Sequence, residues 1–110
     1  MEVQTLTRNT FKGQIDKGVT LVDFYAPWCG PCKIQGPIVD QLAEEVKNKA
    51  TIAKINTDVE MDIAAEFGVQ SIPTLLLFKD GYLVDRLVGL QSKDVLQRRI
   101  DEIVAMGTSC

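Results

Sequence analysis

The chain has 110 residues, which suits one domain with a single modest core and leaves no room for a second. Hydrophobic residues make up 45% and charged residues 25%, with a formal net charge of -3, the mixture of an ordinary globular protein. No block of Lys or Arg suits a phosphate backbone or an anionic surface, and no apolar run approaches membrane-spanning length, so neither nucleic acid nor membrane is an expected partner.

In chain order, "VQTL" (3–6) reads as a short strand, followed by a short helix from about Asn9, a plausible cap, to Lys17, closed by Gly18. "VTLVDFYA" (19–26) is rich in branched and aromatic residues, as a buried parallel strand should be. Beyond two cysteines, Ile34, Ile38, Leu42 and Val46 recur every fourth residue and predict the apolar face of a helix. Gly36 and Pro37 lie within it and predict a kink. "TIAKINTD" (51–58) reads as a strand, and a short helix from about Met61 to Phe67 ends at Gly68. Two strand-like runs around Lys79-Asp80-Gly81 predict a hairpin, and a last helix starts at Ser92, a cap, with Val95 and Ile100 on its apolar side. Helices alternating with strands cover both faces of a sheet, and the hairpin adds an antiparallel part. The expected fold is a three-layer α/β domain with a mixed sheet.

The first ten residues, "MEVQTLTRNT", show neither a basic leader nor an apolar stretch, so a soluble cytoplasmic protein is the expectation. The tail after residue 106 reads as a short flexible end (107–110), with Cys110 a passenger whose hazard is accidental disulfide dimerisation.

"FYAPWCGPCKIQGP" (24–37) holds the two other cysteines, Cys29 and Cys32. A structural zinc or iron–sulfur site needs about four ligands. This chain has no histidine and only Cys110 to add, so a metal is not expected. The pair follows a strand and opens a helix, the context of a redox couple. Unpaired N–H groups and the positive helix end would stabilise a thiolate at Cys29, which is expected to be exposed, with Cys32 less exposed one turn inward. Pro31 suits an early helical position, and Gly30 leaves room for close backbone approach. The chemistry expected is thiol–disulfide exchange: Cys29 attacks a substrate disulfide, and Cys32 then attacks Cys29 and releases the reduced substrate.

Cys32 must lose a proton in the second step. Asp23 interrupts an otherwise apolar strand, and desolvation there would make it a proton acceptor; the other reading puts it in water at a frayed edge. Lys54 would meet Asp23 if their strands are neighbours, although most strand lysines run to solvent.

These residues carry a resemblance over essentially the full length. "VDFYAPWCGPCK" (22–33), Pro37, "AKINTD" (53–58), "SIPTLLLFKDG" (71–81) and "VGLQSKDVL" (88–96), with their spacing, resemble the thioredoxin family. The resemblance implies the thioredoxin fold, with a central five-stranded sheet, and a protein-disulfide reductase. In it Cys29 matches the nucleophile, Cys32 the resolving cysteine, and Gly30 and Pro31 the pair that helps set redox potential. Asp23 matches the buried proton-transfer carboxylate, and Lys54 the lysine beside it. Pro73 matches a cis-proline facing the disulfide; without the resemblance it reads as a trans-proline strand start. Trp28, Ile72, Val88 and Gly89 match the substrate-docking rim, although Trp28 by itself would suit a core equally well.

Family members that lack a histidine before the second cysteine, as this chain does, resemble the reducing branch. The resemblance therefore implies a monomer that binds no cofactor, recharged by a thioredoxin reductase that supplies the flavin (FAD) and uses NADPH. Its substrates would be diverse proteins with reducible disulfides. A docking module with idle thiols and a disulfide oxidase or isomerase are the competing functions. Gln35-Gly36, where many relatives have larger apolar residues, and Ser71, at a position often glycine, depart from the family pattern.

Overall fold

The computed structural model describes residues 3–106. The expected flexible tail and Cys110 lie outside the described residues. Strands and helices alternate as β1 (Gln4–Thr5), α1 (Arg8–Ile15), β2 (Val19–Tyr25), α2 (Gly30–Val46), β3 (Ala50–Asn56), α3 (Met61–Glu66), β4 (Thr74–Lys79), β5 (Tyr82–Val88) and α4 (Lys93–Met106). The strands form one sheet in the order β1-β3-β2-β4-β5. β1 and β2 each pair parallel with β3, whereas β4 runs antiparallel to both β2 and β5. The sheet is mixed, as the alternation of helices with a terminal hairpin predicts.

Residue parity in the central strands assigns the two faces. Val19, Leu21, Leu75 and Leu77 meet Val39, Leu42 and Val46 of α2 and Leu96, Ile100 and Ile103 of α4. Val22, Phe24, Leu76 and Phe78 point the other way, onto Phe11 and Ile15 of α1 and Ile63 and Ala64 of α3. Helices thus cover both faces, giving the α/β/α thioredoxin fold. Burial of each such leucine or phenylalanine contributes roughly 1.5–3 kcal/mol, so the central strands anchor the molecule.

The hairpin turn is built from Asp80 and Gly81, with φ of 51° and 91°. Two left-handed residues make the type I′ geometry that matches strand twist. Asp80 also ties the hairpin to the start of β2: Gly18 N–H donates to Asp80 Oδ1 at 2.8 Å. Ser92 caps α4 as expected, accepting from Val95 N–H at 3.2 Å.

Three local expectations are corrected. The cap of α1 is Thr7, in extended backbone, not Asn9; Thr7 N–H donates to Thr10 Oγ1 at 2.9 Å, which leaves Asn9 inside the first turn. Strand ends are also shorter than predicted: β1 is only Gln4–Thr5, and β3 ends at Asn56, where polar Thr57 and Asp58 follow. The third concerns α2. Ile34 is 56% exposed, and the buried stripe is Cys32, Gln35, Val39, Leu42, Ala43 and Val46. Steps of four advance about 40° beyond a full turn each time, so a row of fours winds off the face. Mixed steps of three and four stay on it. The helix continues through Gly36 and Pro37 to Val46.

Candidate active site

β2 carries the chain up through the middle of the sheet and delivers it to the start of α2. Cys29 is the N-cap of α2, and Gly30 and Pro31 are its first helical residues. Pro31 lacks an N–H where the helix offers no acceptor, so it fits without loss. Cys29 and Cys32 are joined in a disulfide with Cα atoms 5.2 Å apart. Cys32 N–H donates to Cys29 Sγ at 3.2 Å. That donor and the positive end of a 17-residue helix stabilise negative charge on this sulfur once the bond is reduced.

The expected difference in exposure is not found: Cys29 is 4% exposed and Cys32 5%. Both are packed with Ala26, Tyr25 and Ile72. What separates the two is therefore the backbone around them. Only Cys29 stands at the helix cap with an N–H aimed at its sulfur.

The loop before β4 closes over the pair. The Ile72–Pro73 peptide is cis, and Cys29 Sγ lies 3.7 Å from the Ile72 carbonyl oxygen. Pro73 is buried, and its carbonyl accepts from Gly89 N–H at 2.8 Å. Val88, the last residue of β5, stands opposite Thr74. Ile72, Pro73, Val88 and Gly89 are thus brought together, with Gly89 at φ 90°, a conformation glycine adopts without strain. Trp28 is 69% exposed and Val88 56%, so neither is core. Sequence reasoning did not assign two further residues here. Leu90 extends the exposed apolar surface beside Val88. Asp58 holds Trp28, whose indole Nε1–H is shared between its two carboxylate oxygens at 3.0 and 3.2 Å. The only signal for Asp58 was an acidic residue at the end of the predicted strand 51–58, which reads equally well as the start of a turn.

Asp23 shares the parity of Leu21 and so points under α2. It is 3% exposed on a central strand, which rules out the frayed-edge reading. Lys54 stands opposite it in the β2–β3 register. The lysine ammonium, however, lies over the Tyr25 ring, 5.7 Å from its centroid, and closes no ion pair with the aspartate. The other buried polar side chains are satisfied: Thr20 donates to Gln14 O, Thr74 to Ser71 O, and Gln35 to Gln91 O. Asp23 Oδ1 alone, among the described residues, is buried without a partner. Burial pushes the Asp23 pKa from 3.8 up to about 7; Lys54 pulls it back in part, and Asp40 adds a smaller upward push. A pocket of about 210 Å³, open on one side and lined by Asp23, Tyr25, Cys32, Gly36 and Lys54, puts the carboxyl and the second cysteine on one shared space.

Among the described residues no group of three or more His, Cys, Asp or Glu side chains could hold a metal ion. No helix there is long and apolar enough to cross a membrane.

Comparison with known proteins agrees with this geometry. The family described as thioredoxin matches residues 2–102. A thioredoxin of Chlorobaculum thiosulfatiphilum is 49% identical over 87 residues, covering 79% of this chain and 80% of its own. A Bacillus subtilis thioredoxin is 41% identical over 102 residues, covering 93% and 98%. Among solved structures, a point mutant of Halobacterium salinarum thioredoxin superposes with a TM-score of 0.86 at 40% identity, over 92% of this chain and 89% of that one. Matched at this level along nearly its whole length, with the paired cysteines at the head of α2, the chain belongs to the thioredoxin family, and it is a thiol–disulfide oxidoreductase that works by dithiol–disulfide exchange.

Proposed function

We propose that this protein is a general protein-disulfide reductase. The observation that carries the reading is the asymmetry of the pair: the Cys29 sulfur accepts an N–H at the helix cap, while Cys32 shares a pocket with the buried Asp23 carboxyl, whose Oδ1 has no partner.

In the reduced protein the Cys29 thiolate attacks one sulfur of a substrate disulfide. A Cys29–substrate bond forms, and the other substrate sulfur leaves as a thiolate that takes up a proton. Asp23, ionised, then accepts the Cys32 proton, and the Cys32 thiolate attacks Cys29 Sγ. The Cys29–Cys32 disulfide forms and the second substrate thiol leaves, so two electrons pass to the substrate. Lys54 favours the ionised form of Asp23 that this step requires. Gly30 and Pro31 hold the two sulfurs at bonding distance and help set the potential. Trp28, Ile72, Pro73, Val88 and Gly89 form the surface on which an extended substrate segment lies, its backbone beside the Ile72 carbonyl.

The oxidised protein is recharged by a thioredoxin reductase, which supplies the flavin and draws on NADPH. We place this cycle in the cytoplasm, with a monomer as the working form and residues 1–110 as one domain. NADPH-coupled insulin reduction, with a thioredoxin reductase supplied, tests the reading. Turnover is expected from the wild type and none from Cys29→Ser. Wild type and Cys29→Ser that bind insulin equally well, with no reduction by either, would mean a docking module instead.

A further inference from the structure

Gln35 is the one polar side chain in the buried stripe of α2, and it is fully buried. Its carboxamide grips a single residue twice. Nε2–H donates to Gln91 O at 3.0 Å, and Oε1 accepts from Gln91 N–H at 2.7 Å. Gln91 lies just past β5, and its own Nε2 donates to the carbonyls of Val88 and Gly89 at 3.2 and 3.3 Å. Gly89 N–H in turn donates to Pro73 O at 2.8 Å. A continuous run of hydrogen bonds thus leads from a helix position one turn beyond Cys32 to both parts of the rim beside the disulfide. An apolar side chain of the same length would fill the space, yet it would leave the Gln91 N–H and C=O without these partners.

We propose that Gln35 is a positioning residue for protein substrates: through Gln91 it fixes the 88–91 turn, and with it the docking rim, relative to the redox helix. The proposal rests on the reading of Ile72, Pro73, Val88 and Gly89 as the docking surface. Gln35 itself touches no reacting sulfur. A disulfide carried in a polypeptide must lay its flanking chain on that rim, whereas a small disulfide needs only to reach Cys29. Gln35 therefore governs substrate affinity and leaves the exchange step alone.

Pre-reduced wild type and Gln35→Met are mixed with increasing excess of insulin or of cystamine, a small disulfide, and the half-saturating concentration and limiting rate are read separately. For insulin the half-saturating concentration should rise about fivefold or more in the variant, with the limiting rate within about twofold. The cystamine rate should not change. Hydrogen exchange at the Gln91 and Gly89 amides should quicken by about tenfold, while Leu21 and Leu76 in the sheet keep their protection. Gln91→Ala keeps the backbone that Gln35 grips but drops the links to Val88 and Gly89. It should move insulin half-saturation the same way, and it decides the matter if Gln35→Met does not fold. Unchanged insulin half-saturation, or equal losses toward insulin and cystamine, would overturn the proposal. Wild type that reduces cystamine but not insulin overturns the reductase reading instead, and with it the substrate role of Gln35.

Discussion

Asp23 and Lys54 stand opposite each other on adjacent parallel strands, yet the carboxyl oxygen Oδ1 has no partner and the ammonium rests over Tyr25. A buried ion pair would have held the aspartate ionised. The arrangement leaves it poised near neutrality, with the lysine acting only at a distance.

That poise has a cost that depends on pH. Asp23 has a folded-state pKa of about 7 against an ordinary 3.8. The native state therefore keeps a proton that the unfolded chain gives up, and the favourable differential, full below about pH 4, is lost as pH rises through about 7. The gap corresponds to roughly 4 kcal/mol against the folded state once both forms are ionised. Asp23→Asn should therefore match the wild type near pH 4 and exceed it by roughly 2–4 kcal/mol at pH 8. Urea unfolding at both pH values checks this; equal stability at pH 8 would mean that the carboxylate is not penalised.

Lys54 should shift the same titration in a known direction. Its charge lowers the Asp23 pKa, so Lys54→Met should raise it above about 7. The variant should lose stability at pH 8 and little at pH 4, and the pH midpoint for release of substrate from the mixed disulfide should move upward. A carbon-13 titration of the Asp23 carboxyl reads the shift directly. A downward or absent shift would remove Lys54 from the proton-transfer step.

The two cysteines are equally buried, so any difference in their reactivity should come from the cap. Iodoacetamide should label reduced Cys29 before Cys32, by about tenfold or more at mildly acidic pH. Peptide mapping of the alkylated protein gives the order, and faster labelling of Cys32 would reverse the assignment of nucleophile.

Trp28, next to Cys29 in the chain, is held by Asp58 at an exposed position, where one neutral-to-charged hydrogen bond adds little to global stability. Asp58→Ala should lower unfolding free energy by no more than about 1 kcal/mol. It should nevertheless free the indole, which time-resolved fluorescence anisotropy of the single tryptophan would report as faster local motion. An unchanged indole would mean that packing alone, not Asp58, fixes Trp28.

Much of this was legible before the structure. The β-branched and aromatic composition around Leu21 and Leu76 fits strands, Asp80-Gly81 fits the one tight turn that needs two left-handed residues, and Cys29 fits a helix start. The face of Asp23 was not legible from its own strand. Its burial follows only from β2 lying at the sheet centre with α2 above it. Ile34 is exposed where the apolar face predicts it buried, and Gln35 is buried beside it because its carboxamide is satisfied by a backbone unit 56 residues away. The burial of Cys29 depends likewise on Ile72, brought in by the loop before β4. Contacts of that range leave no local periodicity to read.

The central claim is that Cys29 attacks and Cys32 resolves. Trapping tests it most directly: Cys29→Ser and Cys32→Ser proteins, each fully reduced, are mixed with oxidised insulin, and covalent adducts are identified by non-reducing mass spectrometry with peptide mapping. Cys32→Ser should accumulate a mixed disulfide through Cys29, and Cys29→Ser should form no comparable adduct through Cys32. An adduct that builds up at Cys32 in the Cys29→Ser protein, with none at Cys29 in its counterpart, would contradict the account.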